Sequence, residues 1–385
     1  MEGDWRVSGR VLIVTNDFPP RQGGIETFVA TIADGLADRV VVYTSHTPGE
    51  EAADAARPYP VVRDHSRVLL PTPPTRATMQ RLMRRHGCDR VLFGAAAPLG
   101  LLGNAARRSG ACRVVGMTHG HELWWARVPP SRVLLRRIAR RCDALTYLAE
   151  YTRRAIADAV GPDTARLVRM PPGVDSTAFV PAYEEVRQRE RARWGVGDDV
   201  PLVLCLSRLT PRKGQDTLIR ALPEVRRLVP GTVALIVGDG PARDRLERLV
   251  GEVGLPPDAV VFTGGVAHEQ TPAFYAAADV FAMICRDRRR GLEVEGLGIV
   301  FLEAQAAGLP VVVGRSGGAV DTVRDGVTGL VVDPLDPGAV ATALVGLLGD
   351  PERARAMGAA GRAWVSENWG WDSVHATVRD LLALD

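Results

Sequence analysis

Short β-branched runs recur along this chain, separated by longer stretches with helical spacing of apolar residues. Val11–Thr15, Val40–Thr44, Val91–Phe93, Val114–Met117 and Ala144–Tyr147 are the runs of the first half. The pattern restarts with Leu202–Leu206, Val233–Val237, Val260–Phe262, Val280–Met283 and Val311–Val313. A strand without polar alternation is buried on both faces, as in a parallel sheet covered by helices. The expected fold class is α/β, with two Rossmann-like doubly wound domains. Such sheets hold ligands at the carboxyl ends of their strands, so a bound molecule is expected in a central cleft that both domains face. The Pro171-Pro172-Gly173 hinge and the charged segment Glu184–Arg193 mark the connection. These put an N-terminal domain at 1–177 and a C-terminal domain at 178–366.

Charge is distributed unevenly. Residues 1–180 hold 25 Arg against 17 Asp and Glu, whereas residues 181–385 hold 23 basic against 28 acidic residues. A basic half points to an anionic partner, either a membrane surface, a phosphorylated substrate or nucleic acid. Aromatic residues are 5% and do not interleave with Arg, which argues against nucleic acid. No apolar run is long enough to span a bilayer and no signal peptide opens the chain, so a cytoplasmic location is expected. The five cysteines are an odd number without metal-ligand spacing, which fits buried thiols in a reducing compartment.

The motifs fall where the strands end. Of 48 basic residues, Lys213 is the one lysine. It stands five residues after Arg208, just beyond the Leu202–Leu206 run. A cationic pair at a strand end neutralises a diphosphate and stabilises charge that builds as a bond breaks. Gly23 and Gly24 follow the first run and precede a helix, where backbone amides and the positive helix end favour a phosphate. The same pair serves any tight turn. His119-Gly120-His121-Glu122 offers a histidine to a substrate hydroxyl, a satisfied structural histidine, or an incomplete zinc set.

Glu295 and Glu303 stand eight residues apart around Gly296, Gly298 and a helix expected over Ile299–Ala307. On one helix they would lie ~12 Å apart, too far for an acid/base pair. With Glu295 in a loop and Glu303 one turn inside the helix, they suit two ends of a long ligand. The amides of Gly298, Ile299 and Val300 then meet an anionic middle. A molecule with hydroxyls at both ends and phosphates between is a nucleotide sugar.

These residues together resemble the retaining glycosyltransferases of family 4, which have the GT-B fold, along nearly the whole chain. The resemblance implies metal-independent transfer of a sugar from a nucleotide donor, with no cofactor. It implies that Arg208 and Lys213 hold the diphosphate, Glu303 the ribose and Glu295 the sugar. His119 would contact the sugar, Gly23 and Gly24 would close over the phosphate, and the base would lie near Gly264 and Val266. His119, Arg208, Lys213 and Glu295 would form the catalytic set. The final helix, 367–385, would complete the N-terminal domain.

Thr15-Asn16-Asp17-Phe18-Pro19-Pro20-Arg21, Thr118-His119-Gly120-His121-Glu122 and Val294-Glu295-Gly296-Leu297-Gly298 are most similar to actinobacterial mannosyltransferases that use GDP-mannose. Their acceptor is a phosphatidylinositol mannoside at the inner face of the plasma membrane. Arg289 and Arg290 depart from that pattern, which has glycines at both places. The alternatives are another nucleotide sugar, a soluble acceptor, or an epimerase. An anionic lipid partner would suit the helix expected over Ser131–Cys142, which carries Arg132, Arg136, Arg137, Arg140 and Arg141 over one half-turn. An ordinary surface helix with its apolar side on the core reads equally well.

Overall fold

The structure is a computed structural model that describes residues 9–384 apart from Gln22, Asp163 and Thr164. Its contacts divide the chain into two units. The first holds residues up to Pro172 together with the segment from Asp372, and the second spans Gly173–Trp371. The change of unit at the hinge thus comes five residues earlier than position 177. Two contacts explain this: the Val174 amide donates to the Trp369 carbonyl at 2.8 Å, and Gly173 lies against Trp371.

The first unit contains β1 (Arg10–Thr15), β2 (Val40–Thr44), β3 (Val61–Arg63), β4 (Cys88–Phe93), β5 (Arg113–Gly116), β6 (Ala144–Tyr147) and β7 (Arg166–Arg169). They form one sheet in the order β3-β2-β1-β4-β5-β6-β7, with all pairs parallel. The second unit contains β8 (Leu202–Leu206), β9 (Val233–Val237), β10 (Val260–Gly264), β11 (Val280–Met283), β12 (Val311–Gly314) and β13 (Gly329–Val332). Its order is β10-β9-β8-β11-β12-β13, again parallel. In each sheet the winding reverses beside the first strand, between β1 and β4 and between β8 and β11. Chains leave such a switch point in opposite directions, which opens a crevice at the carboxyl edge.

Central strands are wholly buried, as Val11–Val14 and Leu202–Leu204 show at 0% exposure. Helices cover both faces of each sheet through their apolar stripes. The Trp371–Leu382 helix belongs to the first unit, where Val374, Val378, Leu381 and Leu382 are buried. Buried Arg90 on β4 holds its end by donating from Nε to the Leu382 carbonyl at 2.5 Å and from Nη2 to the Ala383 carbonyl at 3.2 Å. Cys88, Cys142, Cys205 and Cys285 are buried thiols, while Cys112 is exposed. No helix of the described residues is long and apolar enough to cross a membrane.

Candidate functional site

The loop after β8 is short and pinned. Pro211–Lys213 makes one 3-10 turn, and Gly214 at φ 72° starts the Gln215–Leu228 helix. A side chain at position 214 would overlap the Ile284 carbonyl beyond β11, so only glycine lets the loop approach there. Lys213 is thereby delivered to Glu295, with Nζ donating to Oε2 at 2.8 Å. Arg212 donates from Nη1 to the Val294 carbonyl at 2.6 Å and lies 3.7 Å from the same carboxylate. Arg208 is exposed, and its guanidinium has no hydrogen-bond or ion-pair partner among the described residues.

Glu295 is fixed from both sides. Its amide donates to Ser316 Oγ at 3.1 Å, its carbonyl accepts from the Gly318 amide at 2.8 Å, and Ser316 Oγ donates to Asp287 at 2.6 Å. The Ser316-Gly317-Gly318 loop therefore serves as a brace for the Glu295 loop. Burial opposes the charge on Glu295, but Lys213 and Arg212 outweigh it and hold the carboxyl below its ordinary range.

Gly298 is left-handed at φ 84° and opens the Ile299–Ala306 helix without a side-chain cap. The amides of Ile299 and Val300 are thus left for water or a ligand at the positive end of the helix. Glu303, one turn on, is 3% exposed. Tyr275 donates its hydroxyl to Glu303 Oε2 at 2.7 Å. Burial raises the Glu303 carboxyl, and the Tyr275 hydrogen bond only partly counters that. Tyr275 was not legible as a site residue, because nothing in Phe274-Tyr275-Ala276 separates it from core. Gly264 ends β10 and accepts the Gly238 amide at 2.9 Å, with half-buried Val266 two residues on.

In the first unit, His119 follows β5 and Gly94 follows β4. The His119 ring contacts the Gly94 carbonyl through Nε2 and is 8% exposed. Burial lowers its pKa, though Glu122 and the Gly94 contact pull the other way. Glu122 is fully buried, and its Oε2 accepts the amides of His119 at 2.9 Å and Gly120 at 3.2 Å. His121 Nε2 lies 3.1 Å from its other oxygen. This carboxylate orients the turn, a role that the spacing alone did not reveal. Gly23 and Gly24 open the Gly24–Asp34 helix, where the Glu26 carboxyl folds back over Gly23. Burial raises the Glu26 carboxyl, with Asp17 adding to the effect.

Known proteins match along both units. The family profile described as Glycosyltransferase Family 4 matches residues 22–178, and that described as Glycosyl transferases group 1 matches residues 186–364. A GDP-mannose-dependent alpha-(1-6)-phosphatidylinositol monomannoside mannosyltransferase of Mycolicibacterium smegmatis is 51% identical over 97% of this chain and 98% of its own. The chain belongs to glycosyltransferase family 4. A second family 4 relative, from Corynebacterium glutamicum, is named for transfer to monoacylated phosphatidylinositol monomannoside and is 44% identical over 97% of this chain and 98% of its own. Among solved structures, Anabaena HepE in complex with UDP superposes with a TM-score of 0.82 at 21% identity, covering 97% of this chain and 99% of that one. That likeness is one of fold.

The basic helix of this glycosyltransferase ends earlier than the expected Cys142. It spans Pro129–Ala139, starting on two prolines, so Arg140 caps it and Arg141 lies beyond its end. Arg132 donates to the Asp158 carbonyl at 2.5 Å, Arg136 to the Ala159 carbonyl at 2.6 Å, and Arg141 to the Leu101 carbonyl. Arg132 and Arg136 therefore tie the helix to the Glu150–Val160 helix, and Arg141 ties the turn after it to Leu101. Arg137 and Arg140 are exposed, and so is part of Arg136. Arg289 and Arg290 are left-handed at φ 49° and 55°, within a turn closed by the Arg288 and Glu293 backbones. That geometry favours glycine, so each Arg holds a backbone conformation that side chains disfavour.

Proposed function

We propose that this glycosyltransferase moves mannose from GDP-mannose to a phosphatidylinositol mannoside lipid, retaining the anomeric configuration and using no metal ion. The observation that carries the donor site is the buried Lys213–Glu295 pair, held beside an uncapped helix N-terminus. It sets a cation for phosphate against an acceptor for a sugar hydroxyl within one braced cluster. The names of relatives that match almost end to end support mannose, guanosine diphosphate and the lipid acceptor.

In this reading Arg208 and Lys213 hold the diphosphate, and the Ile299 and Val300 amides meet its oxygens. Glu303 takes the ribose hydroxyls after Tyr275 has oriented it, and Glu295 takes a mannose hydroxyl. Gly264 and Val266 border the base. His119 is the proposed contact to the sugar in the first unit. The acceptor oxygen bonds to the anomeric carbon on the face from which the diphosphate departs. The bond to the diphosphate breaks, and the acceptor proton passes to the departing oxygen. No carboxylate is required as nucleophile, in keeping with the engagement of Glu295 by Lys213. Exposed Arg137 and Arg140 suit peripheral contact with an anionic leaflet.

The test offers GDP-mannose or UDP-sugars with phosphatidylinositol monomannoside or soluble acceptors, with and without EDTA. Product mass and anomeric configuration are then read. The expected product is an α-linked dimannosyl lipid formed from GDP-mannose, unaffected by EDTA. Transfer only to a soluble acceptor would overturn the lipid assignment, and conversion of donor without acceptor would indicate an epimerase.

A further inference from the structure

The Glu295 carboxylate is only as well placed as the backbone that carries it, and a relay of hydrogen bonds in the second unit pins that backbone. Ser316 is 2% exposed, and its hydroxyl accepts from the Glu295 amide at 3.1 Å while donating to Asp287 Oδ1 at 2.6 Å. A hydroxyl can donate or accept along either direction, whereas an ionised carboxylate only accepts. Asp287 therefore sets the sense of the relay. With the proton turned toward Asp287, a lone pair of Ser316 faces the Glu295 N–H. The Asp287 carboxylate has no hydrogen-bond or ion-pair partner besides Ser316 among the described residues, although Arg286 and Arg288 flank it. Its own position is anchored one residue earlier. The Arg286 amide donates to the Arg212 carbonyl at 2.8 Å, and Arg286 Nη2 donates to both oxygens of Asp216 at 2.7 and 2.8 Å. From the other side, Gly317 lets the Ser316 loop come close, since a side chain there would overlap the Glu295 carbonyl.

We propose that Asp287 is a positioning residue for the donor sugar, acting through the Ser316 hydroxyl on Glu295. The inference rests on the reading that Glu295 takes a mannose hydroxyl. Its content is a separation of tasks. Arg208 and Lys213, on the loop after β8, serve the diphosphate in that reading, and the Asp287 carboxylate pairs with neither. Without the relay the Glu295 amide is released, while the Gly318 amide still holds its carbonyl at 2.8 Å. The carboxylate then moves over a wider range. Lys213, a point charge on a flexible stem, can follow it. A hydrogen bond to a sugar hydroxyl cannot, because it depends on direction as well as distance. Asp287 thus contributes to binding of a nucleotide that carries a sugar, and not to binding of the nucleotide alone. The relay requires an acceptor for the Ser316 proton, which the side-chain oxygen of Asn also supplies.

The test measures GDP-mannose and GDP binding to the full chain by calorimetry without acceptor, with Tm as the monitor of folding. Asp287→Ala is expected to weaken GDP-mannose binding about three- to tenfold, the range of one lost hydrogen bond, and to leave GDP binding within about twofold. Asp287→Asn should recover most of that loss. Ser316→Ala should lose at least as much as Asp287→Ala, and the double variant no more than Ser316→Ala, because both residues act along one chain of hydrogen bonds. Losses that multiply in the double variant would overturn the relay. So would an Asp287→Ala loss shared equally by GDP, or undiminished GDP-mannose binding in that variant. Should Ser316→Ala fail to fold, the comparison of Ala with Asn at exposed position 287 decides. Glu295→Gln separates the positioning role from the donor reading, since it is expected to weaken GDP-mannose binding more than GDP binding. That loss, with none in Asp287→Ala, would overturn the positioning role and leave the Glu295 contact standing. No such loss in Glu295→Gln would overturn the contact and the positioning role with it.

Discussion

Lys213 and Glu295 play two parts that a single substitution confounds. Removing Lys213 takes away a cation from the proposed diphosphate site, but also strands a buried carboxylate, at a cost of about 3 kcal/mol. We expect Lys213→Ala to lower kcat on the order of 10²–10³-fold and to lower Tm. Combining it with Glu295→Gln removes the stranded charge, so Tm should recover while turnover stays low. Recovery of turnover along with Tm would reduce Lys213 to a structural partner. His119 gives a second residue-scale test. Its imidazole is neutral by preference in the fold, because burial depresses its pKa below the ordinary ~6.5. The unfolded chain therefore takes up the proton first as pH falls, and stability present above about pH 6.5 is lost below it. The Glu295 contribution, from a carboxyl held below the ordinary ~4.3, is lost only at more acid pH. Between pH 7 and 5, His119→Asn should flatten the fall of Tm seen in the wild type. An unchanged slope would place that titration elsewhere.

At the scale of elements, the turn at Arg289 and Arg290 stands out because two residues with side chains adopt left-handed backbone. Each such residue costs roughly 1 kcal/mol relative to glycine. Arg290 is exposed, whereas Arg289 pairs with Glu293 at 2.9 Å. Arg290→Gly is accordingly expected to raise stability by about 0.5–1 kcal/mol, read as a higher Tm; a lower Tm would show that the Arg290 side chain has a stabilising contact in solution. The same scale separates what the sequence made legible from what it did not. β2, β8, β9 and β11 were readable to the residue, since a strand buried on both faces is an unbroken apolar run. β3, β7 and β13 were missed. They are sheet edges, and Arg63, Arg166 and Arg169 interrupt the runs of the first two. The loops now proposed to hold the donor were legible as a group because glycine and charge cluster at strand ends. Tyr275, Glu122 and Glu26 were hidden, as their roles arise from burial against residues distant in space or turned back along a loop. The Arg-rich helix misled for a related reason: spacing shows a shared face, but not whether neighbouring carbonyls already occupy it.

For the molecule as a whole, residues 1–180 carry an excess of Arg over acid and residues 181–385 the opposite balance. Exposed guanidinium groups attract an anionic leaflet over about a Debye length, roughly 10 Å at 0.1 M salt and less at higher salt. The proposed donor cluster differs, since the Lys213 side chain is 13% exposed and Glu295 8%, and buried pairs are screened far less. Salt should therefore separate the two functions. Raising ionic strength from about 0.05 to 0.5 M is expected to weaken adsorption to phosphatidylglycerol-containing vesicles by an order of magnitude or more. GDP affinity, measured by calorimetry on the same protein, should fall by a smaller factor. Parallel losses would mean that the donor site is as open to ions as the surface. Salt-insensitive adsorption would instead assign membrane contact to exposed apolar groups such as Trp124 and Val133, with charge serving only to orient the first unit on the leaflet.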